Sequence, residues 1–128
     1  MVINLLDIYK IINSKVGEVC SNSFADHYPE EKKKIYPYVE FKFPSTQSNG
    51  FSEVNNLDID IWNNKANDIF EIETITENID KQLNKLQVNN ETMQLCIFRN
   101  NPYKLRINDP DIHIQRRQLR YILKVYYK

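Results

Sequence analysis

Ile114-Gln115-Arg116-Arg117-Gln118-Leu119-Arg120-Tyr121-Ile122-Leu123-Lys124-Val125-Tyr126-Tyr127 is the stretch on which the fold turns. From Leu119 on, Leu119, Tyr121, Leu123, Val125 and Tyr127 alternate with Gln118, Arg120, Ile122, Lys124 and Tyr126. Period two, β-branched and aromatic residues, and the absence of Gly and Pro predict a strand. At about 3.3 Å per residue it spans roughly 45 Å, longer than a usual globular strand. One face is apolar and belongs on a core; the other carries Arg116, Arg120 and Lys124. The rest of the chain is expected to pack against it.

At 128 residues, 41% hydrophobic and 27% charged, the composition is that of a soluble globular protein, and one domain over residues 1–128 is expected. No apolar run approaches the length of a transmembrane helix. The opening Met1-Val2-Ile3-Asn4-Leu5-Leu6-Asp7 has no basic leader before a long apolar run, so no secretory signal is expected. Cys20 and Cys96 lack Cys-x-x-Cys spacing and read as reduced cysteines of a cytosolic protein.

Working back from the last strand, Asn108-Asp109-Pro110-Asp111 is a turn, preceded by two short strands, Gln94–Arg99 and Tyr103–Ile107, joined as a hairpin through Asn100-Asn101-Pro102. Ile72, Ile75, Ile79, Leu83 and Leu86 make the stripe of a helix starting near Asp68 or near Thr74. Val54–Asn63 alternates as a strand, and so does Tyr36–Phe43, with a polar loop Pro44–Ser52 between them. Residues 21–35 read as a solvated loop. Leu5, Ile8, Ile12, Val16 and Val19 mark a first helix over Asn4–Val19, with Asn4 as its N-cap. The fold class is α+β: a mixed, mainly antiparallel sheet packed by two helices, in the order α-β-β-α-β-β-β. Leu57, Ile59, Ile61, Ile72, Ile75, Ile79, Leu119, Tyr121 and Leu123 form its predicted core.

Chemistry is hard to find in the chain. Glu40-Phe41-Lys42, with Asp26 upstream, is the pattern a Mg²⁺-dependent nuclease places on one strand face. Alternating Glu and Lys on a wet strand face is far commoner than such a site. Asp58 and Asp60 share a face near Glu71 and Glu73, without an Asp-rich loop around a central Gly. His27 and His113 lie outside zinc-ligand spacing. Two glycines, Gly17 and Gly50, supply neither a nucleophile elbow nor a phosphate loop. No catalytic, cofactor-binding or metal-ligating residue is assigned.

Charge is more informative. The formal net charge is zero, but residues 53–91 hold nine acidic and three basic residues, and residues 92–128 hold two acidic and eight basic. A balanced total argues against affinity built on neutralising many phosphates. The asymmetry predicts an acidic and a basic surface, which meet either within one subunit or between neighbours.

Three pieces in this order, Tyr36-Pro37-Tyr38-Val39-Glu40-Phe41-Lys42-Phe43-Pro44, then Leu57-Asp58-Ile59-Asp60-Ile61-Trp62-Asn63-Asn64, then Asp109-Pro110-Asp111 leading to Arg116-Arg117-Gln118-Leu119-Arg120-Tyr121, with an Ile-rich helix between the second and third, resemble the tail terminator (tail completion) proteins of tailed bacteriophages and phage-tail-like particles. The resemblance runs from Tyr36 to Tyr127. It implies a non-enzymatic structural subunit, without cofactor, that forms a ring, usually a hexamer. The ring would cap the tail tube, end its elongation and offer the head-joining surface. Implied partners are further copies, the tail tube protein and head-tail connector proteins, with DNA only as cargo and no membrane. Implied locations are the host cytoplasm during assembly and then the virion or particle. Joined to the charge split, it sets an expected subunit interface: Arg116 and Arg120 opposite a neighbour's Asp58, Asp60 or Glu71. A small Mg²⁺-dependent DNA-processing protein using Glu40 and Lys42 is the alternative.

Overall fold

The computed structural model describes residues 4–65 and 67–128. It contains helix α1 (Asn4–Val19), strands β1 (Ser23–Ala25), β2 (Tyr38–Ser48) and β3 (Glu53–Asn63), helix α2 (Ile69–Leu83), and strands β4 (Gln87–Asn89), β5 (Met93–Asn108) and β6 (Gln115–Tyr127). All six strands join one sheet in the order β1-β2-β3-β6-β5-β4. β1 runs parallel to β2 and every other pairing is antiparallel. This is the predicted α+β class, with the long final strand at the centre of the sheet.

The core forms on the face the helices cover. Leu57, Ile59 and Ile61 of β3 stand beside Leu119, Tyr121, Leu123 and Val125 of β6, all fully buried. Ile8, Ile12 and Val16 of α1 and Ile72, Ile79 and Leu83 of α2 close over them. Of the predicted core, Ile75 alone is only partly buried. Leu5, at the start of the α1 stripe, is exposed. The Asn4 side chain expected to cap α1 lies outside the described residues. For α2 the cap is Asp68, whose carboxylate accepts the Phe70 N–H at 3.0 Å. Thr74 lies well inside the helix, so the earlier of the two expected starts holds.

Three local expectations are corrected. The two short strands expected as a hairpin are one strand, β5: Arg99 opposes Tyr121 and Lys104 opposes Leu119. Asn100, Asn101, Pro102 and Tyr103 therefore bulge where β6 offers only Arg120. Turn-forming residues here bend the strand, and β6 carries the pairing past them. The loop expected over Pro44–Ser52 is largely strand as well, since Phe43 and Pro44 bulge opposite Leu57 and pairing resumes at Ser45–Asn56. The two bulges lie at nearly the same height on either side of the β3–β6 pair and curl the sheet. Residues 21–35, expected to be solvated, contain β1 and the buried Tyr28.

Candidate functional site

The sheet face without helices carries the polar side chains of the alternation. Register sets Tyr38 beside Trp62 and Arg116, Glu40 beside Asp60 and Gln118, and Lys42 beside Asp58 and Arg120. Four of the five residues expected at a subunit interface, Asp58, Asp60, Arg116 and Arg120, thus stand together in two adjacent strands.

They stand together by pairing with one another. Arg116 donates to Asp60 at 2.9 Å, and Gln118 donates to the same carboxylate oxygen at 3.1 Å. Arg120 lies 4.0 Å from Asp58. Burial raises the Asp58 carboxyl above the usual carboxylate range, and Arg120 only partly counters this. Glu71, at the start of α2, accepts from Lys65 and from Asn63. Each of the five therefore has a partner in its own chain.

The same holds for most of the charge split. Arg99 forks onto Asp80, and Lys104 and Arg117 share Glu73 at 2.8 and 2.5 Å. Burial raises the Glu73 carboxyl, but its bonds from Lys104 and Arg117 outweigh burial and hold it below the ordinary value. In each case an acid from β3 or α2 meets a base from β5 or β6, because the topology places the acidic third of the sequence against the basic last third.

Two clusters escaped the sequence reading. The first is aromatic. The segment after β1 folds over the Tyr38 end of the helix-free face, so that Tyr28 packs on Phe24 and Tyr38, and Tyr36 on Tyr38. Tyr38 stacks on Trp62 at 5.0 Å, and the Arg116 guanidinium lies 4.9 Å from the Trp62 ring centroid. Glu40 accepts the Tyr28 N–H, and the Tyr28 hydroxyl donates to Lys33 O and accepts from Ile35 N–H. Glu40, the leading carboxylate of the nuclease-like pattern, is thus a tether for this segment. Lys42 is exposed. Among the described residues no three His, Cys, Asp or Glu side chains are grouped to hold a metal ion.

The second is Asp80 with Arg99 and Tyr121. Asp80 follows Ile79 on the inner side of α2 and accepts the buried Tyr121 hydroxyl at 2.6 Å. Its spacing from Ile72, Thr76 and Leu83 was the available signal, since a carboxylate at core spacing needs a donor.

Opposite ends of β6 differ in shape. Where β6 finishes, Phe51, Val88, Leu95, Cys96, Lys124 and Tyr126 line part of an open groove of about 590 Å³. Where β6 begins, the start of α2 and the β5–β6 turn present Ile69, Phe70 and Ile112, which are 46%, 80% and 83% exposed. Gln115 ties this end together by donating to Asp68 O at 3.3 Å.

Among solved structures, the chain is similar in fold to a chain from the virion of a native gene transfer agent (GTA) particle. The match has a TM-score of 0.65 at 8% identity and covers 90% of this chain and 91% of that one. No protein-family model and no curated protein matches the sequence.

Proposed function

We propose that the chain is a structural subunit of a phage-type particle, and within it the tail terminator: a ring, hexameric in the expected form, that caps the tail tube, ends its elongation and receives the head. In this reading it assembles in the host cytoplasm, becomes part of the particle and contacts tube and connector proteins. The observation that carries the proposal is the fold likeness to a gene transfer agent virion chain over nine-tenths of both chains. The three sequence pieces that resemble tail terminators supply the specific role.

Within such a ring the basic last strand of one copy meets an acidic part of the next. Arg120, a third exposed and 4.0 Å from its partner, retains reach for a neighbour as a rim contact. Asp60 and Glu71 are held more tightly at home, whereas Asp58 shares the loose 4.0 Å pair with Arg120 and stays a candidate acid for a neighbour.

Electron micrographs of the purified protein, alone and mixed with tail tubes, test the proposal. Rings, or tubes capped at one end, are expected. Protein that forms no ring and leaves tube ends bare would overturn it. The nuclease alternative predicts Mg²⁺-dependent nicking of DNA that disappears in Lys42→Ala, a change at an exposed position that spares the Glu40 tether.

A further inference from the structure

The two ends of β6 carry the halves of a contact that one chain cannot close on itself. At about 3.3 Å per residue, the 13 residues of β6 hold them roughly 40 Å apart. At one end the side chains of Ile69, Phe70 and Ile112 project into solvent. At the other, a groove lies between the tip of the β2–β3 hairpin and the β4–β5–β6 edge, its apolar part lined by Phe51, Val88, Leu95, Cys96 and Tyr126 and the rest by polar side chains. Large exposed apolar groups at one end, and an open groove with apolar lining at the other, are each a usual mark of an interaction surface.

Charge agrees with shape. Among the residues lining the groove, Lys124 is the charged one. Around the projecting side chains, once the ion pairs described above are set aside, the carboxylates of Asp68, Asp109 and Asp111 stand against Arg106. Three acids flank the apolar projection, while around the groove Lys124 and Lys128, the latter bonded to Asn89, outnumber Glu53, which favours one orientation of approach.

We infer that the partner of each end is the opposite end of a second copy of this chain: Ile69, Phe70 and Ile112 of one copy fill the groove of the next, with Asp68, Asp109 and Asp111 facing Lys124. Such a contact is heterologous, and a constant rotation closes it into a ring, whereas a rotation that does not close gives a filament. The inference rests on the ring reading above for closure. It supplies what that reading lacked, an apolar anchor and a source of acid that, though bonded to backbone N–H groups, is outside the ion pairs described above. Arg120 lies on the same face of β6, four residues or roughly 13 Å from Lys124, near the middle of the strand and outside the groove lining.

The native Cys96 makes the test direct. Phe70 is largely exposed, so Phe70→Cys leaves the fold intact, and Cys20 is buried out of reach. Concentrated Phe70→Cys protein treated with a mild thiol oxidant is expected to give a ladder of disulfide-linked copies, which vanishes in Phe70→Cys/Cys96→Ser. No ladder, or one that survives the loss of Cys96, would overturn the contact. Mixing provides a second readout. Phe70→Asp and Tyr126→Asp should each weaken self-association by about tenfold or more, as removal of an interface anchor does. An equimolar mixture should stop at a dimer, because one intact contact remains; association unchanged in both variants would overturn the inference. Linked copies that run as open filaments, and never as rings, would sustain the contact while sinking the ring.

Discussion

Asp80 shows how much a single side chain decides. Its carboxylate serves Arg99 at the surface and the Tyr121 hydroxyl in the core, binding α2 to β5 and β6 at once. Asp80→Ala leaves the Tyr121 hydroxyl buried without an acceptor, a loss of about 1–3 kcal/mol. Asp80→Asn retains an amide oxygen to accept it and should cost less, a difference that denaturant midpoints will resolve. Burial first, and then the bond to Asp80, raises the Tyr121 phenol well above its ordinary 10.0. Burial also raises Tyr38, and burial with a bond to Glu53 raises Tyr127 to about 12. A folded-state pKa above the unfolded one means that stability is complete below pH 10.0 and falls as pH rises toward the folded values. Urea midpoints should therefore drop across alkaline pH, and Tyr121→Phe should flatten the drop. A midpoint independent of pH in that window would contradict this. Period two reaches back from Leu119 and Tyr121 to Arg117, which puts that arginine on the core side, so its burial was legible in the sequence. Its partner Glu73 was not, because nothing local links residues 44 positions apart.

At the scale of elements, both helices were legible because a 3.6-residue stripe repeats over 15 or 16 residues. Ile79 lies at the centre of the α2 stripe and is fully buried, so Ile79→Ala should cost roughly 2–5 kcal/mol, and the partly buried Ile75 less. Equal losses in thermal or urea unfolding would mean that the stripe is rotated. The three-residue strands β1 and β4 are too short to show a period, and neither was foreseen. β5 was misread for another reason. Asn100-Asn101-Pro102 has the chemistry of a reversal, but reversal needs a free strand to return along. Here β6 already pairs with residues on both sides of the bulge, so the chain bends and continues. Pro44 acts in the same way in β2.

For the molecule as a whole, the charge split was plain in the sequence, but its meaning depended on topology. Strand order β3-β6-β5 under α2 sets the acidic third against the basic third, so most of these charges are matched before any neighbour arrives. The sheet edges are poor candidates for joining copies, because the stretches of β2 and β5 beyond β1 and β4 carry Lys42 and Pro44, and Pro102 and Lys104. Proline and lysine on an outer strand discourage pairing with another chain. What remains is the apolar contact between ends, and salt separates it from a contact driven by charge. Screening shortens from about 10 Å at 0.1 M to about 3 Å at 1 M ionic strength, which largely removes steering between exposed charges. Apolar burial is not weakened by that change. Self-association measured by sedimentation should therefore hold across this range, and Arg120→Glu, a change outside the groove, should alter it little at high salt. Phe70→Asp should weaken association by about tenfold or more at both ends of the range. A fall of more than about tenfold in the association constant on adding salt, matched by Arg120→Glu at low salt, would instead place the contact on the basic strand.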